Sequence, residues 1–143
     1  MNIWADDVPA IAAWYEKFLD IEPYFEQQGP DGTPVYVEFR IGDYQAELGI
    51  VDRRFAPEGA AVQAAGSIMY WHVDDLEGAV ARLLALGASE HAPVTPRGDA
   101  GFVTASVVDP AGNIIGLMTN PHYLEILGAG SAGGAGGTGS DRP

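Results

Sequence analysis

The chain carries one pattern of residues twice. Residues 3–19 form a short apolar run that ends in Asp-Asp-Val and continues into a helical pattern, and residues 69–87 repeat this plan with Val-Asp-Asp-Leu. When Asp7 is aligned with Asp75, the predicted strand and helix of the first unit align with the predicted strand and helix of the second. A repeat of this size constrains the whole fold more than any single motif. The repeated unit predicts a strand, a helix and several further strands, used twice.

The ends of the two units also correspond. Residues 45–50 read Gln-Ala-Glu-Leu-Gly-Ile and align with Gly-Asn-Ile-Ile-Gly-Leu at residues 112–117, which places Gly49 opposite Gly116 at nearly the same offset. Two such units can face each other and enclose a pocket that neither unit could form alone.

The composition narrows the class of protein and its partners. A chain of 143 residues suits one domain, and the absence of cysteine excludes disulfides and thiolate chemistry. No apolar stretch approaches the roughly 20 residues of a membrane span, and the N-terminus lacks a signal-peptide pattern. We therefore expect a cytoplasmic protein that does not bind membranes. The net charge of −13 disfavours nucleic acid as a partner and attracts cations.

The composition along the chain predicts two modules and a tail. We assign the first module to residues 1–55, a linker to 56–66 and the second module to 67–121. The C-terminal segment, 122–143, ends in a Gly-rich tail. From Gly128 onward we expect disorder, because such a sequence buries too little apolar surface to offset the entropy of ordering it.

Periodicity and turn residues locate the elements. The alternating apolar runs predict strands near 2–6, 35–41, 44–51, 68–73, 102–108 and 113–119, and the 3.6-residue periodicity predicts helices near 9–19 and 76–86. Residues 93–101 are expected to form a loop. Asp7 and Asp75 suit the N-caps of the two helices, and Gly87 suits the end of the second.

The pattern resembles a known family. Each unit has a strand, an Asp-capped helix and a hairpin; the first helix carries the pair Trp14-Tyr15, and the turn Asp109-Pro-Ala-Gly-Asn113 leads into the last strand. This arrangement resembles the vicinal oxygen chelate superfamily, which includes glyoxalase I, extradiol dioxygenases, fosfomycin resistance enzymes and bleomycin resistance proteins. The resemblance covers residues 1–121. It implies an α+β fold of two βαβββ modules whose curved mixed sheets surround a cavity, and it implies a homodimer.

The resemblance also implies where a metal would bind. Metal-dependent members place His or Gln seven residues before the capping Asp, and Glu in the last strand of each module. Three of these positions fall within the sequence, at Ile68, Gly49 and Gly116, and none of the three carries a donor atom, while seven residues before Asp7 would precede Met1. We therefore expect no metal at this site and no other cofactor. Glu47 and His72 lie close to the missing positions, but two ligands are too few for a displaced site.

Alternation along the strands divides the side chains between two faces. The apolar set should pack under the helices: Ile3, Val35, Val37, Phe39, Leu48, Ile50, Met69, Trp71, Val73, Ile115 and Leu117. The other set should line the concave face, with Asn2, Arg40, Gln45 and Ile114 beside the candidate ligand-binding residues Trp4, Tyr36, Glu38, Glu47, Tyr70, His72, Phe102, Thr104, Ser106 and Met118.

This set favours the binding of a small molecule. Aromatic rings stack on flat heterocycles, and a cation above such a ring gains roughly 0.5–2 kcal/mol. The carboxylates of Glu38 and Glu47 would hold a positive group. Two of the aromatic residues, Trp4 and Phe102, are equally suited to filling space between the sheets.

Other members of the set also have structural interpretations. His72 suits a hydrogen-bonded structural histidine, and Glu38 suits an ion pair with Arg40 or Arg53. His91 and His122 lie in loop-like contexts and receive no role.

Two functions remain open on this sequence. The first is a metal-free protein that binds a small aromatic or cationic molecule, like the drug-sequestering members that bind bleomycin-like or mitomycin-like compounds and confer antibiotic resistance. The second is an enzyme, a glyoxalase-type lyase or isomerase or a dioxygenase. It would use a displaced metal site or a metal-free acid–base pair, for which His72 and Glu47 are the weak catalytic candidates.

Overall fold

The computed structural model of the protein describes residues 1–60 and 66–133, with side chains to residue 129. The first sheet contains β1 (Asn2–Ala5), β2 (Phe25–Gln28), β3 (Pro34–Ile41) and β4 (Ala46–Asp52), and the second contains β5 (Met69–His72), β6 (Ser89–Arg97), β7 (Phe102–Val108) and β8 (Ile114–Thr119). The helices are α1 (Val8–Leu19), α2 (Leu76–Ala85) and α3 (Pro121–Gly133), with a short 3₁₀ helix at Arg53–Phe55.

The two sheets have the same topology. Their strand orders are β1-β4-β3-β2 and β5-β8-β7-β6, so that each sheet keeps two free edges and does not close on itself. The first and last strands of each unit pair in parallel, and the remaining pairs are antiparallel. The predicted class, α+β with two βαβββ modules and mixed sheets, is confirmed.

The predicted caps and turns position α1 and α2. The side chain of Asp7 accepts from the N–H of Ala10 at 3.0 Å, and Asp75 accepts from Gly78 at 2.9 Å. These bonds satisfy N–H groups that have no partner within the helix. After α2 the chain reverses at Gly87, whose φ of 98° is a conformation that glycine adopts without strain.

The core lies between the helices and one face of each sheet. Seven of the eleven side chains predicted to pack there are buried: Ile3, Val37, Phe39, Leu48, Ile50, Ile115 and Leu117. Trp71 and Val73 are partly buried against them, and Val35 is half-buried. The prediction for Met69 is wrong, because its side chain is 50% exposed at the start of an edge strand.

Two other predictions about the elements are also wrong. The proposed loop at 93–101 contains the end of β6, which includes Pro93 and Pro96 and pairs with β7 in an irregular register. An edge strand tolerates proline because one side of its backbone needs no donor. The strand β2 was not predicted, because all four of its residues are exposed and show no alternation.

The C-terminal segment forms a helix that runs a short way into the stretch for which disorder was expected. The helix α3 extends to Gly133, beyond the predicted start of the disordered tail at Gly128. Its first turn is fixed by two bonds: the side chain of Asn120 accepts from the N–H of Tyr123 at 3.1 Å, and the Tyr123 hydroxyl donates to Asp43 at 2.7 Å. The rest of the predicted tail, and residues 61–65 of the proposed linker, lie outside the described residues. No helix within 1–60 or 66–133 has the length and apolar character needed to cross a membrane.

Candidate functional site

The strand register brings the predicted residues of the first module onto one face of its sheet, opposite α1. Across the strands, Asn2 aligns with Gly49 and Glu38, and Trp4 aligns with Val51 and Tyr36. In the next row Arg40 lies beside Glu47. We call this surface the open face of the first sheet; it comprises Asn2, Trp4, Phe25, Tyr36, Glu38, Arg40, Glu47, Gly49 and Val51, together with Tyr24 just before β2.

The centre of this open face is a carboxylate held by two phenols. Tyr24 donates its hydroxyl to Oε1 of Glu38 at 2.5 Å, and Tyr36 donates to Oε2. These bonds, first that of Tyr24 and then that of Tyr36, lower the pKa of Glu38 below its ordinary value. Burial and the bond to Glu38 raise the pKa of Tyr36 to about 12. Glu38 is only 8% exposed, so the face carries a fixed negative charge with phenol rings on both sides.

Arg40 shows that a cation suits this surface. Its guanidinium carbon lies 4.6 Å from the centroid of the Tyr24 ring, and one nitrogen donates to the Tyr24 hydroxyl at 3.1 Å. The same nitrogen lies 2.7 Å from a carboxylate oxygen of Glu47. The arrangement combines a charge pair with a cation above an aromatic ring.

The structural ion pair that the sequence suggested for Glu38 does not form directly. Arg40 reaches Glu38 only through the Tyr24 hydroxyl. Arg53 pairs instead with Asp6 at 3.1 Å.

Sequence reasoning missed two aromatic residues of this face. Tyr24 and Phe25 lie next to each other with ring centroids 6.4 Å apart, and Phe25 lies 6.1 Å from Tyr36. Both Tyr24 and Phe25 are about half exposed. The edge strand β2 gave no periodic signal, so nothing in the sequence located these rings on the sheet.

The two glycines at the superfamily's metal-ligand positions are covered by tyrosine rings. A Cβ atom on Gly49 would lie 2.7 Å from the ring of Tyr36, and a Cβ atom on Gly116 would lie 2.7 Å from the ring of Tyr70. Within residues 1–60 and 66–133, no three His, Asp or Glu side chains are grouped closely enough to hold a metal ion. The residues present therefore do not fit the metal that the superfamily implies.

The open face of the second sheet has polar and aromatic side chains in its central rows in place of the Glu38 carboxylate. In its central rows Tyr70 aligns with Gly116 and Ser106, and His72 aligns with Met118 and Thr104. Two residues from β6 close this face. His91 Nδ1 lies 2.9 Å from Ser106 Oγ, and Arg97 donates to Thr104 Oγ1 at 2.8 Å. These contacts place His91, to which the sequence assigned nothing, beside a predicted residue.

Phe102 occupies the end of this second face. Its ring lies edge-on to His122 of α3, with centroids 5.1 Å apart. This contact places His122, to which the sequence also assigned no role, at the edge of the second face.

Trp4 lies where the two modules meet. The Asn113 side chain donates to the Trp4 carbonyl oxygen at 3.1 Å and accepts from the Trp4 N–H at 3.4 Å. Trp4 lines a crevice of about 560 Å³ with mixed polar and apolar walls, together with Asn2, Arg53 and Ile114. This is where predicted residues of both modules come together within one chain.

His72 lies at the opposite junction of the modules. It lines an apolar crevice of about 270 Å³, which we call the junction crevice, between Tyr44 of the first module and Trp71 of the second. Its Nδ1 atom accepts from the N–H of Asn120 at 3.0 Å. In the described part of the chain no contact joins His72 to Glu47, so one chain does not assemble the acid–base pair considered above.

Comparison with known proteins connects this geometry to a family. The model of the Glyoxalase/Bleomycin resistance protein/Dioxygenase superfamily matches residues 1–117. Comparison with curated proteins gave no match.

Solved structures share the fold at low sequence identity. A glyoxalase/bleomycin resistance protein from Catenulispora acidiphila is 22% identical over 84% of this chain and 95% of its own, with a TM-score of 0.58. A glyoxalase-related enzyme from Fulvimarina pelagi is 17% identical over 85% and 86%, with a TM-score of 0.66. TioX from Micromonospora sp. ML1 is 16% identical over 83% and 94%, with a TM-score of 0.61. At these identities the likeness concerns the fold.

Proposed function

We propose that this chain, which belongs to the glyoxalase/bleomycin resistance protein/dioxygenase superfamily, binds a small cationic aromatic molecule without a metal ion and without chemical turnover. The ligand would lie on the open face of the first sheet. The fold alone supports many activities, so the proposal rests on the residues of this face.

One observation carries the proposal: the ionised carboxylate of Glu38 is surrounded by aromatic rings. Tyr24 and Tyr36 hold it by hydrogen bonds, and Phe25 packs beside Tyr36. A flat cation stacked on these rings would gain from the ring faces and from the charge together. The net charge of −13 would draw such a ligand to the protein.

The covered glycines support a metal-free site. A carboxylate ligand at position 49 or 116 would need the space that Tyr36 and Tyr70 occupy. The same rings supply aromatic surface to a ligand. We therefore infer that this surface holds its ligand by aromatic stacking and not by metal coordination.

We further propose a homodimer in which one chain's first open face meets the second open face of its partner. Tyr24, Phe25 and Tyr70 are between 36% and 53% exposed in a single chain. Exposed apolar side chains of this size favour association. In the cytoplasm such a dimer would sequester a toxic compound, and antibiotic resistance is the role that we propose.

Calorimetry with a matched pair of probes tests the binding site. We expect benzyltrimethylammonium to bind at least about tenfold more tightly than its uncharged carbon analogue, since one charge contact between desolvated groups is worth more than 1 kcal/mol. Replacing Glu38→Gln should remove this preference. Glu26→Gln is the control, because Glu26 aligns with the buried Val37 and so lies on the other face of the same sheet. Equal losses in the two variants would mean that only the overall charge acts, and would exclude this site.

Metal analysis tests the metal-free part. Protein purified without a metal-affinity step should contain no stoichiometric zinc, iron or nickel. If added metal produced glyoxalase-type lyase, isomerase or dioxygenase turnover, the enzymatic alternative would replace this proposal.

A further inference from the structure

We propose that the ligand of the first open face replaces the side chain of Arg40, and that its cationic group is therefore planar and carries N–H groups. An amidinium, a guanidinium or a protonated amino-heterocycle has this chemistry. The inference rests on the proposed function and adds to it the class of cation. Arg40 carries it, because its guanidinium already lies on an aromatic ring and against a carboxylate of this face.

Arg40 uses four groups of the protein. Its guanidinium carbon lies 4.6 Å from the centroid of the Tyr24 ring. One terminal nitrogen donates to the Tyr24 hydroxyl at 3.1 Å and lies 2.7 Å from a carboxylate oxygen of Glu47. The other terminal nitrogen donates to the Gln45 carbonyl oxygen at 3.4 Å. The ring face attracts a cation, and the three oxygens accept N–H groups.

Arg40 and a ligand compete for the same ring. Tyr24 donates its hydroxyl to Glu38 and receives the guanidinium on its ring, so the carboxylate, the ring and Arg40 form one chain of contacts. A cation stacked on Tyr24 beside Glu38 would lie close to Arg40, since residues 38 and 40 share one face of β3. Like charges at short range repel each other, so binding requires Arg40 to move away.

Arg40 is held weakly enough to be displaced. The side chains of Arg40 and Glu47 are 38% and 52% exposed. An ion pair with this exposure contributes little to stability, because water screens the charges and two long side chains lose rotamer freedom. Glu38 differs, since it is 8% exposed and accepts from two phenols. The face therefore combines a fixed anion with a cation that can move.

The groups that Arg40 would leave behind select the ligand. The Tyr24 hydroxyl, the Glu47 carboxylate and the Gln45 carbonyl oxygen are all used as acceptors. A cation with N–H groups in its plane can donate to them while its face lies on the ring, as the guanidinium does. A quaternary ammonium gains from the charge and the rings but has no donor for these oxygens. The contacts therefore favour the planar cation with N–H groups.

Calorimetry with two planar cations tests the class of ligand. 4-Aminopyridinium carries N–H groups, and 1-methyl-4-(dimethylamino)pyridinium has the same charge and ring with every N–H replaced by N-methyl. We expect 4-aminopyridinium to bind at least about fivefold more tightly, the ratio expected for one net hydrogen bond. Equal affinities would overturn this inference and leave the proposed function standing. If neither cation bound, both would be refuted.

A variant at position 40 separates displacement from charge repulsion. In Arg40→Ala no guanidinium has to leave, so both cations should bind about fivefold more tightly. The preference for 4-aminopyridinium should stay as in the wild type, because the ligand uses the same acceptors in both proteins. A preference that is absent in the wild type and emerges only in Arg40→Ala would mean that Arg40 stays in place, and would overturn the proposal.

Arg54→Ala is the matched control. Arg54 also pairs with a carboxylate, that of Asp52 at 2.6 Å, and its guanidinium carbon lies 5.9 Å from the centroid of the Phe55 ring. The substitution removes the same charge from a residue that is not part of the open face. Both affinities should therefore change by less than about twofold, since solvent and salt screen a distant charge. A gain as large as that of Arg40→Ala would mean that only the overall charge acts, and would overturn the role of Arg40.

Discussion

The two long hairpin turns join the modules at two junctions, which occupy corresponding places in the repeat and differ in chemistry. The helices α1 and α2 are joined separately, since Trp14 donates to the Leu86 carbonyl oxygen and Arg82 donates to the Lys17 carbonyl oxygen. At the first junction the β7–β8 turn, residues 109–113, is fixed to the first module by side chains. Tyr15 donates to Asp109 at 2.9 Å, Arg53 donates to the Ala111 carbonyl oxygen at 2.9 Å, and Asn113 bonds to Trp4. Asp109 is 4% exposed. We call this the closed junction.

At the second junction the β3–β4 turn, residues 42–45, approaches β5 and α3 of the second module. There the Tyr123 hydroxyl donates to Asp43, and the Tyr123 ring lies edge-on to that of Tyr44 with centroids 6.1 Å apart, beside the junction crevice. We call this the open junction. It keeps a buried His72 donor for which the described residues supply no acceptor.

The difference comes from the turns themselves. The turn at 109–113 begins with an Asp whose carboxylate accepts from the N–H groups of Ala111 and Asn113 and from Tyr15. The turn at 42–45 begins with Gly42, which has no side chain to play this part. The same fold thus fixes one junction by side-chain hydrogen bonds and leaves an apolar crevice at the other, and a few turn residues make the difference.

Removing the central group of the closed junction should have the largest effect. Asp109→Ala leaves the buried Tyr15 hydroxyl and two backbone N–H groups without their acceptor, so we expect a loss of about 3 kcal/mol in the free energy of unfolding. Urea denaturation of the two proteins measures it. Asp43→Ala at the open junction is the matched control and should lose far less. A similar loss in both variants would mean that the junctions do not differ in strength.

High pH should weaken the closed junction through Tyr15. Burial, and then the charge and hydrogen bond of Asp109, raise the pKa of Tyr15 well above 10.0. A group with a raised folded pKa stabilises the protein below its unfolded pKa and loses that contribution as the pH rises towards the folded value. Between pH 10 and 11 the wild type should therefore lose about 1 kcal/mol more than Tyr15→Phe. Unfolding curves at these two pH values check this, and parallel losses in both proteins would contradict it.

Breaking the bond at the open junction should have the smallest effect. Tyr123→Phe removes the exposed hydrogen bond to Asp43 and keeps the ring beside His72. We expect no resolvable change in the unfolding midpoint, since exposed contacts of this kind contribute little. Thermal unfolding at neutral pH measures it. A loss as large as that of Asp109→Ala would mean that the open junction also holds the modules together.

The central strands and the helix starts could be predicted from the sequence, and the sheet edges could not. A strand such as β3 is flanked on both sides and buried on one face, so its apolar residues alternate. The edge strand β2 buries no residue, and β6 contains two prolines. Such strands are fixed by a neighbour distant in sequence, which leaves no local pattern to detect. The start of α3 depends in the same way on its bond to Asp43.

Prediction of the candidate site from the sequence was limited for the same reason. Alternation correctly grouped Tyr36, Glu38 and Arg40, because they lie on one regular strand. It could not show that Tyr24 would complete the hydrogen bonds of Glu38, since that contact joins two strands. Nor could alternation show that the ring of His72 would line the junction crevice, because α3 and the β3–β4 turn build that surface.

The covered glycines limit how this protein could change by mutation. At Gly49 the obstacles to a new side chain are two other side chains, Asn2 and Tyr36, so a glutamate there requires a second substitution. At Gly116 the obstacles include the backbone carbonyl of Met69, 2.8 Å from a new Cβ atom, which no neighbouring substitution removes. A carboxylate side chain at either position therefore requires its neighbours to shift. A metal ligand introduced at Gly116 would thus have to displace the backbone, whereas one introduced at Gly49 would have to displace only side chains.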